Sequence, residues 1–109
     1  MALFTCLDTS VAKTFVIEIV DPARIDEARK IISSKSSKGV MGTVVPKSAS
    51  YNPPWSWHLN PATISFFDMA TEVCDCNVDY LEEHLSEIGG AFLPNSSWCP
   101  WGSRLVKEV

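Results

Sequence analysis

Between Lys13 and Gly39 the sequence leaves the chain little choice. Phe15, Ile17 and Ile19 alternate with Thr14, Val16 and Glu18, the two-residue period of a strand with one apolar face. Asp21 then offers a carboxylate to the free amides of a first helical turn, and Pro22 sits where a helix needs no N–H. Ile25, Ala28, Ile31 and Ile32 continue at helical spacing, with Asp26 one turn before Lys30. Ser33 to Gly39 ends the helix. A strand that runs into a capped amphipathic helix buries both apolar faces by folding helix onto sheet, which calls for layered α+β architecture.

The flanking segments extend that unit. Leu3 to Leu7 alternates weakly before the polar stretch Asp8-Thr9-Ser10, so it reads as the first strand of a hairpin with Lys13–Val20 as the more central partner. Val40 to Val45 is a β-branched strand stopped by Pro46. Trp55, Trp57 and Leu59 alternate with Ser56 and His58 as a short strand, and Asn60-Pro61 marks a turn. Ile64 to Val73 reads as a longer strand, with a phase slip at Phe66-Phe67 that suggests a bulge. Asn77 caps a second helix to about Ile88, with Val78, Leu81, Leu85 and Ile88 inward and Gly89 as its left-handed end. A long loop from Gly90 to Gly102 leads to a last strand, Arg104 to Val109. The expectation is a mostly antiparallel sheet with two helices on one face. Its core would be a ferredoxin-like βαββαβ unit with an extra N-terminal strand.

The totals narrow the function classes. At 109 residues the chain is one domain, residues 1–109, and 46% hydrophobic content with four tryptophans fills a core without a metal. Thirteen acids against nine bases give a net charge of −4, which argues against nucleic acid as a partner; Lys35 to Lys38 reads as a solvated connector. No apolar run approaches the length of a membrane span. The start at Met1 has neither a basic n-region nor an apolar h-region, so no signal peptide is read and a cytoplasmic site is expected, with another route of secretion left open. The Asn95-Ser96-Ser97 sequon is then incidental.

No residue pattern marks a catalytic site. The GxSxG, HExxH and phosphate-loop signatures are missing, His58 and His84 have no sequence partner, and Asp68 with Glu72 reads as two acids on a solvated strand face. No cofactor or metal is expected. Cys6, Cys74, Cys76 and Cys99 allow three pairings. Free buried thiols suit a reducing cytoplasm, a Cys74–Cys99 staple is the next reading, and a zinc site with Cys74, Cys76, Cys99 and His58 lacks the usual ligand spacing. The unusual feature is aromatic: Pro53-Pro54-Trp55-Ser56-Trp57 and Trp98-Cys99-Pro100-Trp101 place all four tryptophans in or beside loops. These rings make either a satellite core or a recognition surface. In the second case Pro54, Trp55, Trp57, His58, Trp98, Pro100 and Trp101 are the candidate binding residues.

The same residues carry a resemblance. The run Tyr51 to Pro61, then Phe66 to Ala70, Glu72 to Asp75, Gly89 to Pro94, Trp98 to Trp101 and Ser103 to Val106 resembles a family named after the N-terminal domain of a calmodulin-binding protein. It spans nearly the whole chain and includes the Asp21-Pro22-Ala23 helix start. The resemblance implies a small single domain of a kind often secreted and mostly without assigned chemistry. It strengthens the Cys74–Cys99 staple, since both cysteines match family positions, whereas Cys6 and Cys76 are particular to this chain. The calmodulin label transfers poorly, because calmodulin targets are basic amphipathic helices and the second helix here is acidic. Three function classes stay open. The first is a non-enzymatic binding module that recognises a protein partner through the Trp/Pro-rich loops. The others are a peptidase inhibitor using the 92–104 loop and a small ferredoxin-like dimeric enzyme with His58 as its base. The sequence leaves the oligomeric state open.

Overall fold

The computed structural model describes residues 1–69 and 72–109. In chain order the elements are β1 (Ala2–Asp8), β2 (Lys13–Ile19), α1 (Pro22–Ser34), β3 (Gly39–Val45), β4 (His58–Leu59), β5 (Ser65–Phe67), α2 (Val78–Glu83), β6 (Ile88–Gly89), β7 (Phe92–Pro94), β8 (Ser97–Trp98) and β9 (Ser103–Glu108). Short 3-10 turns occupy Pro61–Thr63, Glu72–Cys74 and Leu85–Glu87. Every strand pair is antiparallel except β6 with β7.

The first sheet has the order β2-β1-β9. Phe4 stands opposite Ile17 and Cys6 opposite Phe15, so one face of β1 and β2 is a continuous apolar surface. Ile25 and Ala28 of α1 and Val78 and Leu81 of α2 join the same buried cluster, which puts the apolar sides of both helices on that face. The second sheet is built around β3, which pairs with β4, β5 and β8. Ser103 ties the two sheets: its Oγ accepts from Val40 N at 2.9 Å and donates to Pro100 O at 2.7 Å.

The strand order departs from the ferredoxin-like core expected from the sequence. β1, not Lys13–Val20, is central in its sheet, and β2 lies at the edge. Ala2, Phe4 and Cys6 are buried, which gives β1 an apolar face equal to that of β2 and makes it the better strand to enclose. The free edge of β2 is taken by the loop before β4. Asn52, fully buried, accepts from Val16 N through Oδ1 at 2.8 Å and donates through Nδ2 to Trp57 O at 3.0 Å. Trp55 Nε1 donates to Thr14 O at 2.9 Å.

Both helix starts follow the sequence: Asp21 Oδ1 accepts from Ala23 N, and Asn77 Oδ1 from Tyr80 N. The second helix ends early. His84 Nδ1–H donates to Tyr80 O at 2.8 Å, occupying the carbonyl that the next helical turn would use. Leu85, expected inside the helix layer, is therefore only partly buried in a 3-10 turn. Gly89 has the expected positive φ, +89°, but in β6 rather than at a helix end. The strand expected over Ile64–Val73 is confined to Ser65–Phe67 in unbroken register with β3; part of that span lies outside the described residues. Trp55 to Leu59 alternates in burial as expected, but only His58 and Leu59 pair with β3.

Candidate functional site

The two tryptophan segments meet, and they meet mostly inside the molecule. Trp57 and Trp98 are fully buried, with ring centroids 5.0 Å apart at 75°, and both pack on Phe15 of β2 at 5.7 and 5.2 Å. Trp55 is also buried, 6.0 Å from Trp57. Trp98 Nε1 donates to Cys76 O at 3.0 Å, whereas Trp57 Nε1 is buried with no partner. These three rings form the wall between sheet and loops, and Trp57 and Trp98 have no surface to offer a partner. Pro100 is buried, and Pro54 is exposed on the loop beside β2, where the Pro53–Pro54 bond is cis. His58 is half-buried; its Nδ1–H donates to Lys47 O at 2.7 Å and its ring meets Tyr51 edge-on.

Trp101 is the exception, at 45% exposure. It sits in the turn closed by Ser103 N to Pro100 O at 3.0 Å, and its own amide donates to Asp75 Oδ1 at 2.9 Å. Below that turn Cys74 and Cys99 form a disulfide, with Cys99 N donating to Cys74 O at 2.7 Å. The bond overturns the reading of these two as free thiols and removes both as metal ligands. Cys6 and Cys76 are free. Burial pushes both thiols up, that of Cys76 to about 12, so neither is a ready nucleophile at neutral pH. Among the described residues no cluster of three His, Cys, Asp or Glu side chains is placed to hold a metal ion.

Two grooves border the stapled turn. One, of about 230 Å³, is lined by Phe67, Asp68, Met69 and Trp101. The other, of about 430 Å³, is lined by Val73, Asp75, Cys76, Asn77, Tyr80, Ala91, Phe92 and Leu93. They share the contact between Asp75 and Trp101. Met69 is 91% exposed, Val73 67% and Tyr80 46%. With Trp101 these are four of the eight large apolar side chains exposed among the described residues, and the others are Met1, Val20, Val106 and Val109. Tyr80 is held flat: His84 stacks on it at 3.9 Å, and Phe92 meets it edge-on at 5.4 Å.

The 92–104 segment is not an extended loop. It contains β7 and β8, and Leu93, Asn95 and Ser96 have φ of 47°, 60° and 59°. The amides of Ser96, Cys99, Trp101 and Ser103 are all engaged within the domain.

One further group organises this end of the molecule. Asp8, at the end of β1, is buried; its Oδ1 accepts from Ser10 N and Ser10 Oγ at 3.0 and 2.6 Å, and its Oδ2 accepts from Val78 N at 3.0 Å. Asp8 thus caps α2 from a distant strand, while Thr9 N and Oγ1 donate to Gly102 O in the Trp101 turn. Sequence reading took Asp8 as part of a polar turn. Its phase with Ala2, Phe4 and Cys6 was the signal that it faces inward.

A small α+β domain with a tryptophan wall inside and a stapled, groove-bordered turn outside is the class that fold and site define. The chain belongs to the family described as the BP-74 N-terminal domain, which it matches over residues 1–109. No curated protein and no solved structure matches it.

Proposed function

We propose that the domain is a non-enzymatic binding module that recognises a protein partner through the face around Trp101. The observation that carries this reading is the gathering of Met69, Val73, Tyr80 and Trp101 at the rims of two adjoining grooves. Soluble domains seldom leave such contiguous apolar surface bare, and half-exposed Trp and Tyr beside a pocket are the usual anchors of an interface. The role expected of the Trp/Pro-rich loops then divides. Trp55, Trp57 and Trp98 set the position of the face, and Trp101 makes the contact. A peptidase inhibitor has less support, since a blocking loop presents free amides along an extended backbone and those of the 92–104 segment are engaged.

The family name carries calmodulin binding, but α2 is acidic rather than basic, and calmodulin is not the partner we favour. Disulfides persist where thiols are not kept reduced, so the Cys74–Cys99 bond favours an oxidising setting over the cytoplasm expected from the N-terminal sequence. No described helix is long and apolar enough to cross a membrane.

The test pairs capture with stability. Immobilised wild-type domain and Trp101→Ala are incubated with extract of the native cells, and bound proteins are quantified by mass spectrometry. Loss of Trp101 should abolish capture of the specific partner, a weakening of about 2 kcal/mol or more for an interface anchor, while the melting curve stays within error. Equal capture by both forms would show that the face is not used.

A further inference from the structure

The charges of this chain are segregated along its sequence in a way its net charge conceals. Residues 48–103 hold seven of the thirteen acids and none of the nine bases. The remainder, 1–47 with 104–109, holds six acids and all nine bases. Every residue that lines either groove comes from the acid-only stretch. Asp68 lies in one groove and Asp75 in the other, and Asp79, Glu82 and Glu83 follow on α2 beside Tyr80. Little of this charge is neutralised locally. Lys13 of β2 reaches across to Asp79 at 2.7 Å, and Glu82 accepts from Ser56 N at 2.8 Å, but Asp68 and Glu83 are exposed.

Apolar anchors set in a field of one sign select their occupant by charge. A partner segment with acids would meet uncompensated repulsion at low dielectric, whereas Lys or Arg beside an apolar residue would find carboxylates at both grooves. We infer that the face around Trp101 takes a cationic peptide segment of the partner protein. An apolar side chain seats between Trp101 and Met69 or against Tyr80 and Phe92, with basic residues alongside Asp68 and Asp75. This rests on the binding-module reading and adds the chemistry of what is bound. The 3.9 Å stacking of His84 on Tyr80 holds the second anchor in place without drawing on the acids that the ligand needs.

The probes are three short synthetic peptides with one shared set of apolar anchors and flanks that are Lys/Arg, Ser/Asn or Asp/Glu. Each is titrated into the isotopically labelled full chain, with binding read from backbone amide shifts. The cationic peptide should bind at least about tenfold more tightly than the neutral one and lose about tenfold or more in affinity between roughly 50 and 300 mM salt. Its shifts should centre on Asp68, Met69, Asp75, Tyr80, Phe92 and Trp101. Asp68→Asn, a change at an exposed side chain, should weaken only the cationic peptide, by a few-fold, and Trp101→Ala should weaken cationic and neutral peptides alike. Equal binding of all three peptides at these amides overturns the cationic inference and leaves the docking face standing. So does an absence of peptide shifts while wild type, but not Trp101→Ala, still captures its partner. No peptide shifts and no Trp101-dependent capture removes both readings. A concentration-dependent dimer in light scattering, abolished by Trp101→Ala, would make the occupant a second copy of the chain and overturn the inference.

Discussion

Replacing Asp8 with Ala tests whether one buried carboxylate holds the end of the molecule that carries the grooves. The side chain is 1% exposed and accepts three hydrogen bonds. Two come from Ser10, which is exposed, and water can replace them at little cost. The third donor is Val78 N, buried at the first position of α2, where no intrahelical acceptor exists. Leaving that amide without an acceptor costs about 1–3 kcal/mol, and loss of a helix cap typically adds about 1 kcal/mol. Asp8→Ala should therefore destabilise the domain by about 2–4 kcal/mol, a large share of the roughly 5–15 kcal/mol that holds a domain together. Ser10→Ala is the control and should cost under about 1 kcal/mol, since it removes one hydroxyl bond near solvent. Urea unfolding gives both values, and native-state hydrogen exchange at the Val78 amide reports the local effect. The reasoning fails if Asp8→Ala shifts the midpoint no more than Ser10→Ala, or if the Val78 amide keeps its protection.

Removing the staple with Cys74→Ala and Cys99→Ala should cost about 3–4 kcal/mol, the chain entropy of a loop closed over a separation of 25 residues; an unchanged denaturation midpoint would refute this. Gly39→Ala should move Phe67, because a Cβ at Gly39 falls against three of its ring carbons. The expected outcome is a cost of about 1–3 kcal/mol with shifted amide signals at Asp68 and Trp101; an unaltered spectrum would show that the ring has room to spare. The hydrogen bond and charge of Arg29 hold the Glu108 carboxyl below its ordinary value. A lowered folded pKa stabilises above the unfolded value, and the effect is lost as pH falls through the folded one. The gap in melting temperature between wild type and Glu108→Gln should thus be open at neutral pH and close below the carboxylate range. A gap that persists in acid would rule the pair out as its cause.

Local chemistry made the first half of the fold legible. The β2-to-α1 junction, both helix caps, β3 and β9 all follow from periodicity and capping, because each depends on residues close in sequence. Pairing of distant elements was hidden. Nothing near Leu3 announces that β9 will return to its far side, and nothing near Asn52 announces that its amide will replace a neighbouring strand for β2. The tryptophans show the same limit at the candidate site. Sequence grouped all four, and only the packing against Phe15 separates Trp57 and Trp98 from Trp101. Met69, Val73 and Tyr80 escaped notice because an exposed apolar residue looks like a core residue until its neighbours are known. The Cys74–Cys99 staple was readable as one of three pairings and gained weight from the family resemblance.

The loop bond that Asn52 makes to β2 has a consequence for solubility. Thr14-Phe15-Val16-Ile17-Glu18-Ile19 is dense in β-branched and aromatic residues and has a single charge, the composition of segments that stack into fibrils once their edge is bare. Within the domain that edge is occupied, strand-like, by one side-chain amide and one indole N–H rather than by another strand. A lesion in the Asn52–Trp55 loop would therefore do its damage before the fold is lost. The sheet would survive, its open edge would recruit the same strand from other molecules, and material would be lost to aggregates at concentrations where the melting temperature still looks acceptable.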